Sequence, residues 1–530
     1  METRNVRWQI VPAPVNEDLI LKHERLAILV AALAAANLGV VATSAAATIP
    51  QQRSLDARIA TLMAEFPAVE RGRTGFQFID LTNGTVLAER NAAEFFTPAS
   101  NAKLYTTALG LVRLGLNYQF QTELRTTGPW RPGQATLTDL QLVGGGDPNL
   151  SGRVLPYAPD AKPGDALTPL RDLAKKLSDA GVNTITGDVA GVATRYPGDL
   201  YPDGWTIDDS IYDYGAPVSS LTFNDNSVSL KVYPSESGEL ANIETQPAVN
   251  PLLFLNQVIT DDSDQAHVHV VRSPATNEVV LWGTIGTRAH AWEEDLAVTD
   301  PAAWTASALI AVLREQGITV RGQAVSQYES LNELGEGAET NHSGPAGTLL
   351  AVHQSAPLFE DITVTNKVSQ NLHAEMLLRE VGYVVHGIGT LSAGVDERTK
   401  FLNELGITPD GTGLALTDGS GLARQDLTTP ESTVTLLRAM WDRPERETWI
   451  ASLPIGGVDG TLEHRFKKIP GAARVHAKTG SIAHVNSLSG YIETKDHGWL
   501  AFSIMVNGTT AHDSEVRTFI DRLCALFIGD

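Results

Sequence analysis

Ser100-Asn101-Ala102-Lys103, Ser369-Gln370-Asn371 and Lys478-Thr479-Gly480 are three short words whose residue types, in this order, suit one chemistry. They read as S-x-x-K, S-x-N and K-T-G, a set that opens acyl bonds through a serine ester. A serine hydroxyl attacks poorly until a base removes its proton. Three residues make nearly one helical turn, so Ser100 and Lys103 share a helix face. A lysine accepts that proton only when its pKa is lowered, by burial or by a second cation, and Lys478 can be that cation. Ser369 is suited to relay a proton to a leaving amine, and Asn371 to hydrogen-bond Lys103 or a substrate amide. Lys478 and Thr479 can hold a carboxylate, while Gly480 on an edge strand lets substrate backbone come close. The backbone N–H groups of Ser100 and Ser481 are the natural oxyanion pair, and one such donor is typically worth ~10²–10³ in turnover.

Each word alone fits a capped helix, a polar turn or a strand end; the ordered set is what carries meaning. S-x-x-K and K-T-G occur once each, and S-x-N occurs twice. Ser330-Leu331-Asn332 sits in a polar, glycine-rich stretch, whereas Ser369-Gln370-Asn371 abuts a helical pattern, so the second is chosen. Other constellations fail. Gly419-Ser420-Gly421 follows Asp418, which breaks a G-x-S-x-G elbow. There is no H-E-x-x-H word and no cysteine pair, so neither a metal nor another cofactor is expected. His373, His476 and His484 lie near the motifs and read as packing or surface residues. Gly144-Gly145-Gly146 lacks the lysine of a phosphate loop.

The elements that must hold these residues follow from periodicity. Leu55, Ile59, Leu62, Met63 and Phe66 recur at helical spacing. Phe76, Phe78 and Val86 flank Asn83-Gly84, which predicts a hairpin with a tight primed turn. Thr97-Pro98 leads into a buried helix over Ser100–Leu114. Between about 119 and 345 the texture becomes short strands and Gly/Pro turns, with two helices. One starts at Thr168-Pro169 and stops at Gly181; the other starts at Asp300-Pro301 and stops at Gly317. Each is followed by a β-branched run, Val182–Gly187 and Ile318–Gly322, so the two read as related helix–strand units. Helical texture returns from about 347. Arg474–Lys478, Leu488–Thr494 and Trp499–Val506 then read as three consecutive strands, and a helix over Ser514–Phe527 buries Cys524. The fold expected is α/β in the α+β sense, an antiparallel sheet covered by helices and split by a β-rich insertion.

Composition bounds the function. A chain of 530 residues with 42% hydrophobic and 19% charged residues is expected to be globular and to hold two or three domains. A net charge of −22 argues against nucleic acid as a partner. One cysteine precludes an intramolecular disulfide. Leu26–Ala36 is an unbroken apolar run after Lys22 and Arg25, and Ala45-Ala46-Ala47 follows it. This predicts an export segment over 1–47, with a mature start near Thr48 outside the cytoplasmic membrane. The leader is long and its charges cancel, which leaves an uncleaved membrane anchor over Leu26–Ala47 as the other reading.

The three motifs, with their long first gap, resemble those of the class C low-molecular-mass penicillin-binding proteins, the D-alanyl-D-alanine carboxypeptidase/endopeptidase family. The resemblance runs from about 53 to 527. It is supported by Gly146-Asp147-Pro148, Gly204-Trp205, Gly215-Ala216-Pro217, Asp418-Gly419-Ser420-Gly421-Leu422 and Asp459-Gly460-Thr461-Leu462. It implies a catalytic domain in two parts, 48–118 and 347–530. Two nested accessory domains would fill 119–346, with the inner one at about 144–241. It implies cleavage of D-alanyl-D-alanine or D-alanyl-diaminopimelate bonds of peptidoglycan, covalent acylation by β-lactams, and a place in the periplasm or cell envelope. It also implies that an acid after the Gly-Trp pair, Asp209 with Asp208 as its rival, reads the free amino end of a diaminopimelate side chain. The family phrase usually continues Gly-Leu-Ser-Arg; here Ala423 replaces the serine.

Two other readings compete. A class A serine β-lactamase would carry Glu-x-x-x-Asn between S-x-N and K-T-G. Between 372 and 477 Asn403 is the one asparagine and position 399 is Thr, so that loop is missing. A silent envelope-binding protein on the same fold would have lost the nucleophile or its lysine, and both remain.

Overall fold

The described residues of the computed structural model are 49–330, 347–407, 414–495 and 498–529. The chain divides into two units, Met1–Leu55 and Asp56–Asp530. The export segment at 1–47 and Ser330-Leu331-Asn332 beyond its first residue lie outside the described residues. No described helix is long and apolar enough to cross a membrane.

Distant parts of the chain build one antiparallel sheet. Its order is Val475–Ile482, Val485–Glu493, Trp499–Asn507, Arg73–Asp80, Val86–Arg90. The central strands Val485–Glu493 and Trp499–Asn507 are buried along nearly their whole length, because helices cover both faces. Phe527 of the last helix, Asp513–Ile528, stacks on Phe78 at 3.9 Å, and Cys524 is buried on the same helix. The three C-terminal strands match the sequence expectation. The hairpin exists, but its turn does not take the primed form. The strands end at Asp80 and resume at Val86, and the five-residue loop is pinned by the Asp80 side chain, which accepts from Thr82 N at 2.7 Å. An acidic residue competing for the turn's own N–H groups lengthens the loop.

The segment between the two contributions carries its own sheets. One has the order Ala324–Gln327, Val189–Val192, Leu140–Val143, Gln121–Thr126, Thr348–Gln354. The helices Thr168–Asp179 and Pro301–Glu315 are each followed by a short strand, and Thr319–Val320 pairs in parallel with Thr184–Ile185. The two helix–strand units thus lie side by side. Two three-stranded sheets, one of Ser227–Tyr233, Asn242–Gln246 and Trp292–Ala297, the other of Leu253–Asp261, Ala266–Arg272 and Glu278–Gly286, fall between them in sequence. A division at 144–241 therefore cuts through sheets: Val189–Val192 belongs to the outer one, and Trp292–Ala297 pairs with Ser227–Tyr233. Likewise Thr348–Gln354 is a strand paired with Gln121–Thr126, so the outer sheet ends beyond 347. Helical texture begins eleven residues later, at Leu358–Lys367.

The insertion is held to the rest by buried polar contacts. Trp205 Nε1 donates to Asp418 Oδ2 at 2.9 Å. Arg195 donates to both oxygens of Glu380 at 2.6 and 2.9 Å, and Tyr196 Oη adds a bond at 2.7 Å. Gly146 permits this approach: a Cβ there would lie 2.1 Å from Tyr196 Oη. Glycine run 144–146 is thus a packing surface. The third contact is His373, fully buried, with Nδ1 2.7 Å from Asp361 and Nε2 3.1 Å from Asp225 of the insertion. Two carboxylates outweigh burial and push its imidazolium up to about 9. Asp225 is further held by Arg153 and Gln370, and Asp361 by Asn149. Surface pairs such as Lys175–Asp179, both about two-thirds exposed, add ~0–1 kcal/mol at most. The buried contacts dominate.

Because the folded pKa of His373 is raised above its unfolded value, its stabilisation is complete below pH 6.5 and is lost as pH rises through about 9. Denaturant melts between pH 6 and 10 should show the stability advantage of wild type over His373→Gln shrinking across that window by about 3 kcal/mol. His373→Gln should be less stable at pH 6 and lose this part of the slope. Equal pH slopes in the two proteins would contradict the charged bridge.

Candidate active site

The helix that carries the S-x-x-K word is buried from its first turn. Ala99–Asn101 forms a 3₁₀ turn that runs into the helix Ala102–Leu114, and Ala99 is left-handed at φ 47°. This places Ser100 at the helix start, where unpaired N–H groups favour developing negative charge. Lys103, one turn on, is fully buried. Its Nζ lies 2.9 Å from Ser100 Oγ, 2.5 Å from Asn371 Oδ1 and 2.8 Å from Ser420 O. Burial brings its pKa down to about 7, against the opposing pull of Asp418 and Glu375. Those carboxylates are themselves committed: Glu375 Oε1 accepts from Gly419 N and Ser420 N, and Asp418 accepts from Gly421 N and Ala423 N. Ser420 is buried; its carbonyl, not its hydroxyl, faces the lysine. Ala423 N makes its bond to Asp418 without needing a side-chain hydroxyl.

The S-x-N word lies in the link between the helices Leu358–Lys367 and Asn371–His386. Ser369 is left-handed at φ 66°, a conformation costing a non-glycine residue about 1 kcal/mol or more. Its neighbours hold it. Gln370 Oε1 caps Leu372 N at 3.1 Å while Gln370 Nε2 donates to Asp225, and Lys367 is ion-paired to Asp459 at 2.6 Å. Asn371 is bound on both sides, by Lys103 and, through Nδ2, by the carbonyl of Tyr214 at 2.7 Å. Tyr214 and Asp225 belong to the insertion. The insertion therefore orients two residues of the S-x-N word, Gln370 and Asn371.

Lys478 Nζ lies 2.8 Å from Ser369 Oγ, and Thr479 Oγ1 lies 2.8 Å from Thr461 Oγ1. Gly480 presses against the protein itself. A Cβ there would meet Ser487 Oγ at 2.2 Å, Pro98 O at 2.6 Å and Ser100 N at 3.0 Å, so glycine brings the strand up to the nucleophile turn. Lys478 is held well below the usual lysine range, first by burial and then by the charge of Lys103. No carboxylate is among the groups that set this shift, so an anionic group bound beside it would favour the charged form of Lys478.

Ser100, Ser369, Asn371, Ser481, Asp209 and Tyr214 line one cleft of about 360 Å³, with Gly421–Leu422, Arg424 and Ile482–Ala483 completing it. Lys103 and Lys478 are buried beneath them. Asp209 is largely buried, and its Oδ2 also accepts from Thr206 N at 2.9 Å, so it caps a turn and lines the cleft at once. Asp208 is exposed. Tyr214 and Asp225 carry no sequence signal of their own, since their parts are played by a carbonyl or across long stretches of chain. No group of three or more metal-ligating side chains occurs among the described residues.

The model of the D-Ala-D-Ala carboxypeptidase 3 (S13) family matches residues 55–526. The D-alanyl-D-alanine carboxypeptidase of Actinomadura sp. (strain R39) is 34% identical over 457 residues, 84% of this chain and 79% of that protein. The D-alanyl-D-alanine carboxypeptidase DacB of Haemophilus influenzae is 25% identical over 85% of this chain and 88% of that protein. The crystal structure of penicillin binding protein 4 (dacB) from Haemophilus influenzae shares the fold, with a TM-score of 0.73 at 24% identity over 89% of this chain and 99% of that one. With an S-x-x-K serine, a buried lysine and a K-T-G strand gathered on one cleft, the chain belongs to the D-Ala-D-Ala carboxypeptidase 3 (S13) family and is a serine-type D,D-peptidase.

Proposed function

We propose that Ser100 is the acylated nucleophile and Lys103 its base, in an enzyme that cleaves D-alanyl-D-alanine and D-alanyl-diaminopimelate bonds of peptidoglycan stem peptides. The observation that carries this reading is the 2.9 Å contact between Ser100 Oγ and a lysine amine whose pKa is brought to about 7. Neutral Lys103 takes the hydroxyl proton as Oγ adds to the carbonyl carbon of the penultimate D-alanine. The backbone N–H groups of Ser100 and Ser481 stabilise the oxyanion. A substrate carboxylate held at Thr479 favours the charged form of Lys478, and the proton taken by Lys103 passes through Ser369 to the departing amine as the C–N bond breaks, which leaves Lys103 neutral again. Water then adds to the ester carbon, its proton returns through Lys103, and Ser100 is regenerated. β-Lactams present the same acyl carbon, and the Haemophilus relative is known in complex with one. They should acylate Ser100 and leave it slowly. An apolar leader before residue 48 supports export to the periplasm or cell envelope.

Digestion and mass spectrometry of the penicillin-treated protein should place the adduct on the peptide containing Ser100. An adduct on Ser369 or Ser420 would overturn the assignment. Asp209 lines the acyl side of the cleft, and a buried carboxylate bound to an ammonium is worth ~1.5–3 kcal/mol. Asp209→Asn keeps an oxygen for Thr206 N. It should lower kcat/KM for a diaminopimelate peptide by roughly tenfold or more and leave penicillin acylation nearly unchanged. Equal losses in both rates would make Asp209 structural, and unaltered peptide cleavage would remove it from recognition.

A further inference from the structure

Arg272 is a buried cation with no ion pair among the described residues; it is 7% exposed. It ends the strand Ala266–Arg272 in one of the three-stranded sheets of the insertion. Strand residues alternate faces, so Arg272 points inward with Val268 while His267, His269 and Val271 are exposed. Burial holds its guanidinium below the ordinary arginine range, and Tyr201, not a carboxylate, is the group that opposes this. A buried arginine without an opposite charge is a poor device for stability, because nothing recovers its desolvation. Its fork binds two backbone carbonyls instead. Nη2 donates to Ser210 O at 2.6 Å and Nη1 donates to Ala297 O, while Nε is buried without a partner among the described residues.

The two carbonyls show what the fork does. Ser210 follows Asp209 in the 3₁₀ turn Asp209–Ile211, and Asp209 lines the catalytic cleft. Ala297 ends the strand Trp292–Ala297, whose Leu296 bridges to Tyr212 just past that turn. Arg272 therefore clamps the turn to the end of a strand. The bonds inside the turn are local: Asp209 N donates to Thr206 O at 3.0 Å, and Tyr212 N to Asp209 O at 3.1 Å. Local bonds shape a turn but do not set where it stands against the sheets. The Tyr212–Leu296 bridge and the Arg272 fork do that. Thr206 N takes Asp209 Oδ2, which leaves the other carboxylate oxygen for a ligand. A binding group of this kind must be held to within about 0.5 Å of its productive place.

We propose that Arg272 is a positioning residue for recognition of the substrate ammonium: by gripping the Ser210 carbonyl it sets where the Asp209 carboxylate stands in the cleft. The inference rests on the recognition role proposed above for Asp209. Two substrates test it, a diaminopimelate peptide and the same peptide without the free side-chain amine. Arg272→Met fills the space but removes the fork. It should raise KM for the first peptide and lower kcat/KM about fivefold with kcat held, since a contact made equally in ground and transition states is weakened. Cleavage of the second peptide and penicillin acylation should stay within about twofold, which also reports a folded site. In an Asp209→Asn background Arg272→Met should cost nothing further, because a residue acting through Asp209 has nothing left to position. Arg272→Lys reaches one carbonyl at most and should recover part of the loss. Should Arg272→Met not fold, Arg272→Gln takes its place in every comparison. Equal losses on both peptides and penicillin would make Arg272 structural. Additive losses in the Asp209→Asn background would show that it acts elsewhere, and no loss on the first peptide would remove it from recognition; each overturns the proposal. If Asp209→Asn alone left cleavage of the first peptide unaltered, the recognition reading itself would fall, and the positioning role with it.

Discussion

A buried lysine amine, taken out of water and held against a serine hydroxyl, is the constraint on which the rest of this structure depends. Removing Lys103 from solvent brings its pKa to about 7 and makes it a base near neutral pH. The same burial works against folding. An unfolded chain would bind that proton up to about 10.5, so on this group's account stability rises with pH between about 7 and 10.5 and is reduced below. The surroundings answer by fixing three oxygens around the amine: Ser100 Oγ, Asn371 Oδ1 and Ser420 O. Each comes from a different stretch of the chain, so the site forms only when the Ser100–Lys103 helix, the S-x-N link and the Asp418–Leu422 turn are packed together.

The insertion takes part in that packing. The carbonyl of Tyr214 fixes Asn371, and Asp225 fixes His373 and Gln370 on either side of it. Ser369 is left in a left-handed conformation that its own sequence does not favour, and these contacts over-determine it. The two pH-dependent groups act in opposite senses. The His373 bridge strengthens the fold below pH 6.5, where the buried lysine weakens it most.

How much of this was legible in sequence depends on the range of the interaction. Ser100 and Lys103 are one helical turn apart, so their contact follows from spacing alone. The three C-terminal strands and the helices starting at Thr168-Pro169 and Asp300-Pro301 have local signatures and formed as expected. The Asn83-Gly84 turn did not, because the Asp80 side chain overrode the dipeptide's preference. The strand Thr348–Gln354 is defined by its partner more than two hundred residues earlier, and the nested sheets by pairing across some sixty residues, which no local window sees. Tyr214 acts through a backbone carbonyl, which leaves no residue-type signal. Lys478 reads as a cation from its charge, yet its setting lacks a counter-ion until an anionic ligand arrives.

The account's central claim is that Lys103 is the base and is uncharged near neutral pH before substrate binds. The second-order rate of acylation of Ser100 by penicillin, measured from pH 5 to 9, reports the free enzyme's essential groups. The rate should rise about tenfold per pH unit at low pH and level off with a midpoint near 7, a value belonging to the coupled lysine pair. A flat profile over this range, or one still climbing steeply at pH 9, would show that Lys103 is not the neutral base.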